Sequence, residues 1–449
     1  MTLIFILLFT LLLASGIIFT LKFDFLQFRP VKLIKTAGSA GGSAFRAFCL
    51  SLGGIMGAGN ITGVAIALRL GGSGVVFWMC VSALVCSALK YAEVFAAVEC
   101  KNVRLYDNKY TGIQSADTND ERIFGPLYYM QRLNKGRGFF CSLFCIMCVL
   151  SSFTTGNMVQ ASAVSEKSGL SQGTFIAAVF FVLLFFMFST LLKDGSARFS
   201  SVAVPVMTAL YLLICVAVIA ANAKILPEIF CDIIKSAFGL SGTSGIKNAF
   251  DIKNAGIRML YGILSGMLIS MRNGFSVGLL SHEAGLGTSP IAHCFTNEKK
   301  PHVCASLGIL EVYADTLLGA MLTALCILIT DSADVSEAFL GFFGKAGNTL
   351  VFVCLFMFSL SSCISWHFYG CAAVSAKSKK YIPVYTFLYC LMMFFAFFVP
   401  AQRIYIFSEL TNALMAFSNV LPLMIYYSHR ENLHKKITLG YKKQFRYKA

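Results

Sequence analysis

The residues with the most chemistry to offer sit in two stretches that hydropathy places inside a membrane. The first reads Leu52-Gly53-Gly54-Ile55-Met56-Gly57-Ala58-Gly59-Asn60-Ile61-Thr62-Gly63. Five glycines in eleven residues strongly disfavour a continuous helix, and amides and carbonyls freed at mid-membrane depth must find partners. A substrate and a cation can supply those partners. Close helix packing through a small-x-x-x-small face is the alternative, for which Gly59 and Gly63 qualify, but it needs two small positions rather than five. The second stretch runs Ser270-Met271-Arg272-Asn273-Gly274-Phe275-Ser276, then Gly278, then Ser281-His282-Glu283-Ala284-Gly285-Leu286-Gly287-Thr288-Ser289-Pro290. A second break is expected somewhere within 271–288.

Isolated polar residues elsewhere add to these. Asp315 lies about 12 residues into an apolar run that starts at 303, hence about 18 Å deep. An intramembrane carboxylate is a functional candidate by default, with Arg272 as its expected partner; a neutralised structural pair is the plainer reading. Gln160 sits deep in an apolar run and can donate and accept, either to a ligand or across helices. Trp366 is one of two tryptophans and falls about 19 residues into its run, so an interfacial aromatic belt competes with a pocket wall. Lys90 and Glu93, three residues apart, read as a local salt bridge.

Other patterns carry no chemistry. Gly57-Ala58-Gly59 has Thr62 where a dinucleotide fingerprint wants its third glycine, and His282-Glu283 has Leu286 where a zinc-protease helix wants histidine. Cys141, Cys145 and Cys148 share a helix face but have no acid or histidine nearby, so packing is preferred to a soft metal. There is no paired-carboxylate cleft or cofactor loop, and an enzyme is not expected.

The elements that position these residues are membrane helices. The chain has 449 residues, 57% hydrophobic and 13% charged, with mean hydropathy +0.73. Soluble domains carry about 25% charge. A water-soluble enzyme is therefore excluded, and an all-α polytopic membrane protein is expected. Eleven spans are predicted, at about 2–20, 44–70, 73–98, 138–166, 173–192, 199–222, 256–293, 303–330, 347–376, 381–400 and 404–427. The formal charge of +16 follows from topology rather than from nucleic acid, because 25 of the 37 Lys and Arg fall on one side of this arrangement and 8 on the other. That asymmetry puts the C-terminus in the cytoplasm and the N-terminus outside a cell membrane. Leu3–Ile18 has its basic cluster after it rather than before it, so a retained first helix is expected over a leader. The sixteen cysteines read as reduced apolar fillers, and the basic tail at 428–449 as a topology anchor that touches anionic lipid.

After the first helix (1–22) the remaining ten spans divide into five (44–222) and five (256–427). An odd number per half forces the halves to run in opposite senses, the condition for an inverted repeat whose opening helices are broken around a midplane site. The whole of 1–430 is read as one transport domain.

The residues resemble a known family. Gly57 to Ala65, Gly71-Gly72-Ser73-Gly74 with Phe77-Trp78-Met79, and Lys90-Tyr91-Ala92-Glu93 look like the opening signature of the alanine or glycine:cation symporters. Gly125-Pro126-Leu127-Tyr128-Tyr129, Gly156-Asn157-Met158-Val159-Gln160-Ala161, Ser281 to His293 and Asp315-Thr316-Leu317 follow in the family's order, covering roughly 15–430. The resemblance implies a leucine-transporter-type 5+5 inverted repeat with one extra N-terminal helix, moving alanine, glycine or a similar small amino acid inward with Na⁺. It also implies site residues. Amides near Gly57, Gly59 and Asn60 would take the substrate carboxylate, with Gln160, Asn273, Gly274, His282 and Trp366 as further substrate contacts. Ala58, Ala320, Thr323 and Asp315 would couple the cation, with Thr323 ligating Na⁺. The chain departs from the family where Ala58 and Met321 replace threonine and His282 replaces asparagine. Those changes motivate an alternative, H⁺ coupling through His282 or Asp315. A non-transporting amino-acid sensor and a channel are the other readings, the latter opposed by isolated polar sites in place of a continuous polar stripe.

Overall fold

The computed structural model describes residues 2–110, 123–133, 135–168, 174–191, 195–240 and 255–446. Parts of the 99–137 and 223–255 connections lie outside the described residues. All regular structure among the described residues is helical. The first half comprises α1 (Thr2–Lys22), α2 (Pro30–Ala37), α3 (Gly42–Ile55), α4 (Thr62–Gly71), α5 (Val75–Tyr110), α6 (Leu127–Met130), α7 (Arg137–Phe153), α8 (Val159–Ser168), α9 (Thr174–Phe186), α10 (Gly195–Ala221) and α11 (Leu226–Ala237). The second comprises α12 (Ala255–His282), α13 (Thr288–Cys294), α14 (Pro301–Val312), α15 (Met321–Ile329), α16 (Val335–Phe343), α17 (Lys345–Ser375), α18 (Ile382–Ala396) and α19 (Ala401–Arg446), the last continuing through the predicted tail.

Six of these helical segments are long and apolar enough to cross a bilayer: 75–104, 137–167, 196–221, 301–329, 345–375 and 403–429. Helices satisfy their own backbone, which is why an apolar chain in lipid adopts them. Isoleucine, phenylalanine and leucine at 176, 180 and 183 on α9 and valines 202 and 206 on α10 are exposed, the outer face of a multi-pass membrane protein.

The long apolar runs are interrupted where the sequence is rich in glycine. α3 and α4 are separated by an extended Met56 and Gly57 and a short turn, and α12 and α13 by Glu283–Gly287. Three runs instead contain wide π turns, Thr154–Met158 between α7 and α8, Met187–Leu191 at the end of α9 and Tyr313–Ala320 between α14 and α15. Such turns concentrate at functional positions because they re-aim side chains without ending the helix. α12 packs on α5 and α4, while α3 packs on α10, α13, α14 and α17, so the two broken segments lie against each other. α1 runs parallel to α5: Gly16 faces Val85, and the Phe23 and Tyr91 rings meet edge-on at 4.8 Å.

α16 is started by Asp334, whose carboxylate accepts the Glu337 N–H at 3.1 Å and pairs with Lys167 Nζ at 2.7 Å. Partial burial works against the charge, but the Lys167 and Glu337 hydrogen bonds prevail and hold the carboxyl below its ordinary value. A depressed folded value stabilises above the ordinary aspartate range, and that contribution is lost as pH falls through the folded value. Asp334→Ala should therefore lower stability by about 1 kcal/mol at neutral pH. In thermal melts the gap to the parent protein should close below about pH 4; a gap that persists in acid would contradict this account.

Candidate functional site

At the first break the freed backbone is only partly reused. Ala58 N–H donates to Gln160 Oε1 at 2.8 Å, and Asn60 and Ile61 N–H close short turns onto the Gly57 and Ala58 carbonyls. The Gly57 and Gly59 amides have no partner among the described residues. Gln160 is itself held by its Nε2, which donates to Thr155 O at 3.2 Å in the π turn. A Cβ at 57 would stand 2.7 Å from Gln160 Oε1, so any larger residue there must push the Gln160 amide away from the Ala58 N–H.

The second break falls directly after His282. Glu283 has φ 51°, a left-handed conformation costly for a residue with a Cβ, and Gly285 and Gly287 have φ 87° and 81°. Two buried residues on α5 hold it. Lys90 Nζ donates to His282 O at 3.1 Å, at the C-terminus of α12, and the Glu93 carboxylate accepts Gly285 N–H at 3.4 Å and Gly287 N–H at 3.1 Å, before the N-terminus of α13. A cation at a helix C-terminus and an anion at an N-terminus complement the helix dipoles. The predicted Lys90–Glu93 salt bridge is thus corrected. The two side chains serve separate helix ends on a segment some 190 residues away. Asn419 Nδ2 completes the arrangement, donating to Glu93 Oε2 and Gly285 O at 2.8 Å each.

Asn60 joins the two breaks. Its Nδ2 donates to Asp315 Oδ1 at 2.7 Å, and Ser281 Oγ stands 2.7 Å from both Asn60 Oδ1 and Asp315 Oδ2. Thr316 Oγ1 donates to Asp315 Oδ2 at 2.7 Å. All four residues are buried. Ser281 has one hydroxyl hydrogen to give and two oxygens to satisfy, so this cluster is one positive centre short. Arg272 is not the counter-charge expected for Asp315: it is exposed, and its guanidinium donates to Asn273 Oδ1 at 3.4 Å.

Between the breaks lies a cavity of about 280 Å³. Gly57, Gly59, Gln160, Ser281 and Glu283 line its floor, and Asn273, Ser276, Tyr405, Ser408 and Glu409 line its walls. Its lining extends along α4 through Gly63, Ile66 and Leu70, toward the end where α1 and α5 begin. At the other end α3 packs on α13 and α14. There Glu311 accepts Ser51 Oγ at 2.7 Å, Ser289 Oγ at 2.6 Å and His293 Nε2 at 2.8 Å, all buried.

The sequence-predicted residues divide. Gly57, Gly59, Gln160 and Asn273 line the cavity, and Asn60 and Asp315 lie behind its floor. Trp366 is fully buried, which removes the aromatic-belt reading; its Nε1 donates to Glu283 Oε1 at 3.1 Å, so it stands one residue behind the cavity wall. Gly274 faces α5, against Trp78 and Val75. His282 lies outside the cavity lining, its Nδ1 accepting the Ala284 N–H at 3.1 Å. Ala58 and Ala320 are buried outside the lining too, and Thr323 Oγ1 is engaged with Tyr211 OH at 2.6 Å and Gly319 O at 2.8 Å, so the proposed Ala320–Thr323 pair does not join the other candidates. Glu283 and Glu409, acids inside apolar segments, were the missed signals; that property alone marks them in the sequence.

Comparison with known proteins places the chain among transporters. The chain is 28% identical to the sodium/alanine symporter AgcS of Methanococcus maripaludis, over 92% of this chain and 90% of that one. It is 29% identical to the amino-acid carrier protein AlsT of Bacillus subtilis, over 97% and 90%. It is also 29% identical to the "Probable sodium/glutamine symporter GlnT" of the same bacterium, over 93% and 85%. Residues 1–447 match the sodium:alanine symporter family, and the chain belongs to that family of membrane transporters.

Proposed function

We propose that this transporter is a secondary active symporter that imports a small neutral amino acid, alanine, glycine or a close relative, with Na⁺. In this reading the eleven apolar stretches all span the membrane, the N-terminus lies outside and the C-terminus in the cytoplasm. Residues 44–222 and 256–427 form a leucine-transporter-type inverted repeat behind one extra helix. The observation that carries the reading is the floor of the cavity, where the two breaks present opposite charges' partners together.

An amino acid brings a carboxylate and an ammonium, both costly to bury unpaired. The unpartnered Gly57 and Gly59 amides, next to the start of α4, suit the carboxylate. Glu283 suits the ammonium, oriented by Trp366 Nε1 and by Thr288 Oγ1 at 2.7 Å. Na⁺ fills the missing positive centre among Asn60, Ser281, Asp315 and Thr316, oxygen donors of the kind hard cations take. The cavity then opens outward while the Ser51–Ser289–Glu311–His293 network seals the cytoplasmic side, one arm of alternating access.

A proton on Asp315 would fill the same vacancy, which keeps H⁺ coupling as the second reading. His282 does not serve it, because protonating Nδ1 would displace the Ala284 N–H. Labelled alanine uptake into proteoliposomes, with Na⁺ and pH gradients imposed separately, distinguishes the two. Na⁺-driven uptake supports the first, pH-driven uptake the second, and uptake insensitive to both would discard the symporter reading.

Trp366→Phe removes a charge-assisted donor worth about 1.5–3 kcal/mol. The expected result is a KM for alanine raised about tenfold or more, with maximal uptake less affected. An unchanged KM would show that Glu283 does not hold the ammonium.

A further inference from the structure

The cavity holds more polar chemistry than an alanine or glycine could use. Beyond the floor, two helix faces confront each other. Asn273 and Ser276 lie three residues apart on α12, while Tyr405, Ser408, Glu409 and Asn412 repeat at helical spacing on α19. Glu409 is half-buried, and its Oε1 accepts from Ser276 Oγ at 3.3 Å. Ser276 and Glu409 also line a small adjoining cavity of about 30 Å³, room for about two water-sized groups, whose other walls are mostly leucine and alanine. Asn412 lines it too. Asn412 is 4% exposed, and its Oδ1 accepts from Thr155 Oγ1 at 3.1 Å while its Nδ2 has no partner among the described residues.

A buried orphan amide lies beside a half-buried carboxylate that takes one hydrogen bond, from Ser276: the first needs an acceptor, and the second has room for a further donor. A methyl or hydrogen side chain meets neither. An ammonium meets only Glu409. A carboxamide meets both, its oxygen accepting from Asn412 and its NH₂ donating to Glu409. Turning the Asn412 amide over exchanges its free atom for an acceptor, which a carboxamide NH₂ also satisfies.

We infer that Ser276, Glu409 and Asn412 form a side-chain subsite for a carboxamide, so that the transporter carries amino acids of the glutamine or asparagine class in addition to the small ones. The inference rests on the symporter reading, with the α-carboxylate and α-ammonium at the floor as described. The substrate then lies with its side chain pointing along α12 and α19, away from the sealed end. Specificity arises because a side chain that enters without an acceptor leaves the Asn412 amide buried and unpaired, and sites that leave a buried polar group unpaired discriminate strongly.

The test is uptake of labelled glutamine and labelled alanine by the full chain in proteoliposomes, with glutamine, asparagine and ornithine as unlabelled competitors. The parent protein should carry glutamine, with asparagine competing and ornithine not. In Asn412→Leu and, separately, Glu409→Ala the ratio of glutamine to alanine uptake should fall at least about tenfold. Residual alanine uptake reports that each variant is folded, and the competition series in the parent protein needs no variant. Alanine carried while glutamine neither enters nor competes would overturn the subsite and leave the symporter standing. Competition by ornithine but not asparagine would overturn it in favour of a cationic side chain. If neither amino acid is taken up under any gradient, the symporter reading fails and the subsite with it.

Discussion

Cation-driven uptake should fall at least about a hundredfold in Asp315→Asn, and the protein should remain folded. Asparagine keeps the shape of the carboxylate. Its Oδ1 can still accept from Asn60 Nδ2, and the Ser281 and Thr316 hydroxyls, each 2.7 Å from Oδ2, can rotate to accept from the new amide. What disappears is the negative charge. A cation buried among neutral oxygens loses its counter-charge, and removing one partner of a buried pair costs about 3–5 kcal/mol. At about 1.4 kcal/mol per decade, the lower figure is already a hundredfold in cation affinity. The measurement is the Na⁺ concentration dependence of labelled alanine uptake in proteoliposomes, alongside a melting curve in detergent. Half-saturation by Na⁺ at the parent concentration would show that Asp315 does not neutralise the coupling ion. If the parent protein proves proton-driven, the same substitution removes the titrating group and pH-driven uptake should vanish instead. Asp315→Ala is less informative, because it also strands Asn60 Nδ2 and two hydroxyls, and a folding defect would then mimic lost coupling.

The sequence made the breaks visible and hid their partners. Glycines at 53, 54, 57, 59 and 63 announce a broken helix because backbone entropy is a local property, and both interruptions fall where composition locates them. Asp315 and Gln160 stood out because a polar group in an apolar run is costly wherever it lies. Partners are set by packing. Lys90 and Glu93 are near neighbours on α5, so spacing pairs them; in three dimensions each reaches a helix end about 190 residues downstream. Arg272 was the nearest unclaimed cation to suggest for Asp315, yet the carboxylate is held by neutral groups from three elements. Thr323 has the right spacing from Ala320, but Tyr211 on α10 claims its hydroxyl. Glu283 is less legible, because its place in the cavity lining depends on φ 51° at the break. No periodicity encodes that turn.

Glu311→Ala should destabilise the protein by about 3–5 kcal/mol and open the sealed end. Glu311 is fully buried on α14 and is the common acceptor for Ser51 of α3 and for Ser289 and His293 of α13. Deleting the carboxylate leaves the His293 N–H and one of the two hydroxyls without an acceptor, since Ser51 and Ser289 Oγ lie 2.6 Å apart and can serve each other only once, and each such buried group costs about 1–3 kcal/mol. The three elements it joins are the lower half of the first broken helix, the lower half of the second, and the helix that carries Asp315 in its π turn. Local loss of stability should therefore appear as movement of α3 away from α13. Cys49, buried on α3 two residues before Ser51, reports it. In the variant its modification by a maleimide, read by peptide mass, should accelerate at least about tenfold, and the melting temperature should fall. Glu311→Gln keeps an oxygen for His293 Nε2 and turns its NH₂ toward two hydroxyls that can rotate to accept, but it loses the charge, so it should land between the two. Unchanged labelling of Cys49 together with an unchanged melting curve in Glu311→Ala would mean that apolar packing of α3 on α17 and α10 holds the seal by itself. A lowered melting temperature with Cys49 still protected would make Glu311 a stabiliser of α14 rather than the fastening of a gate.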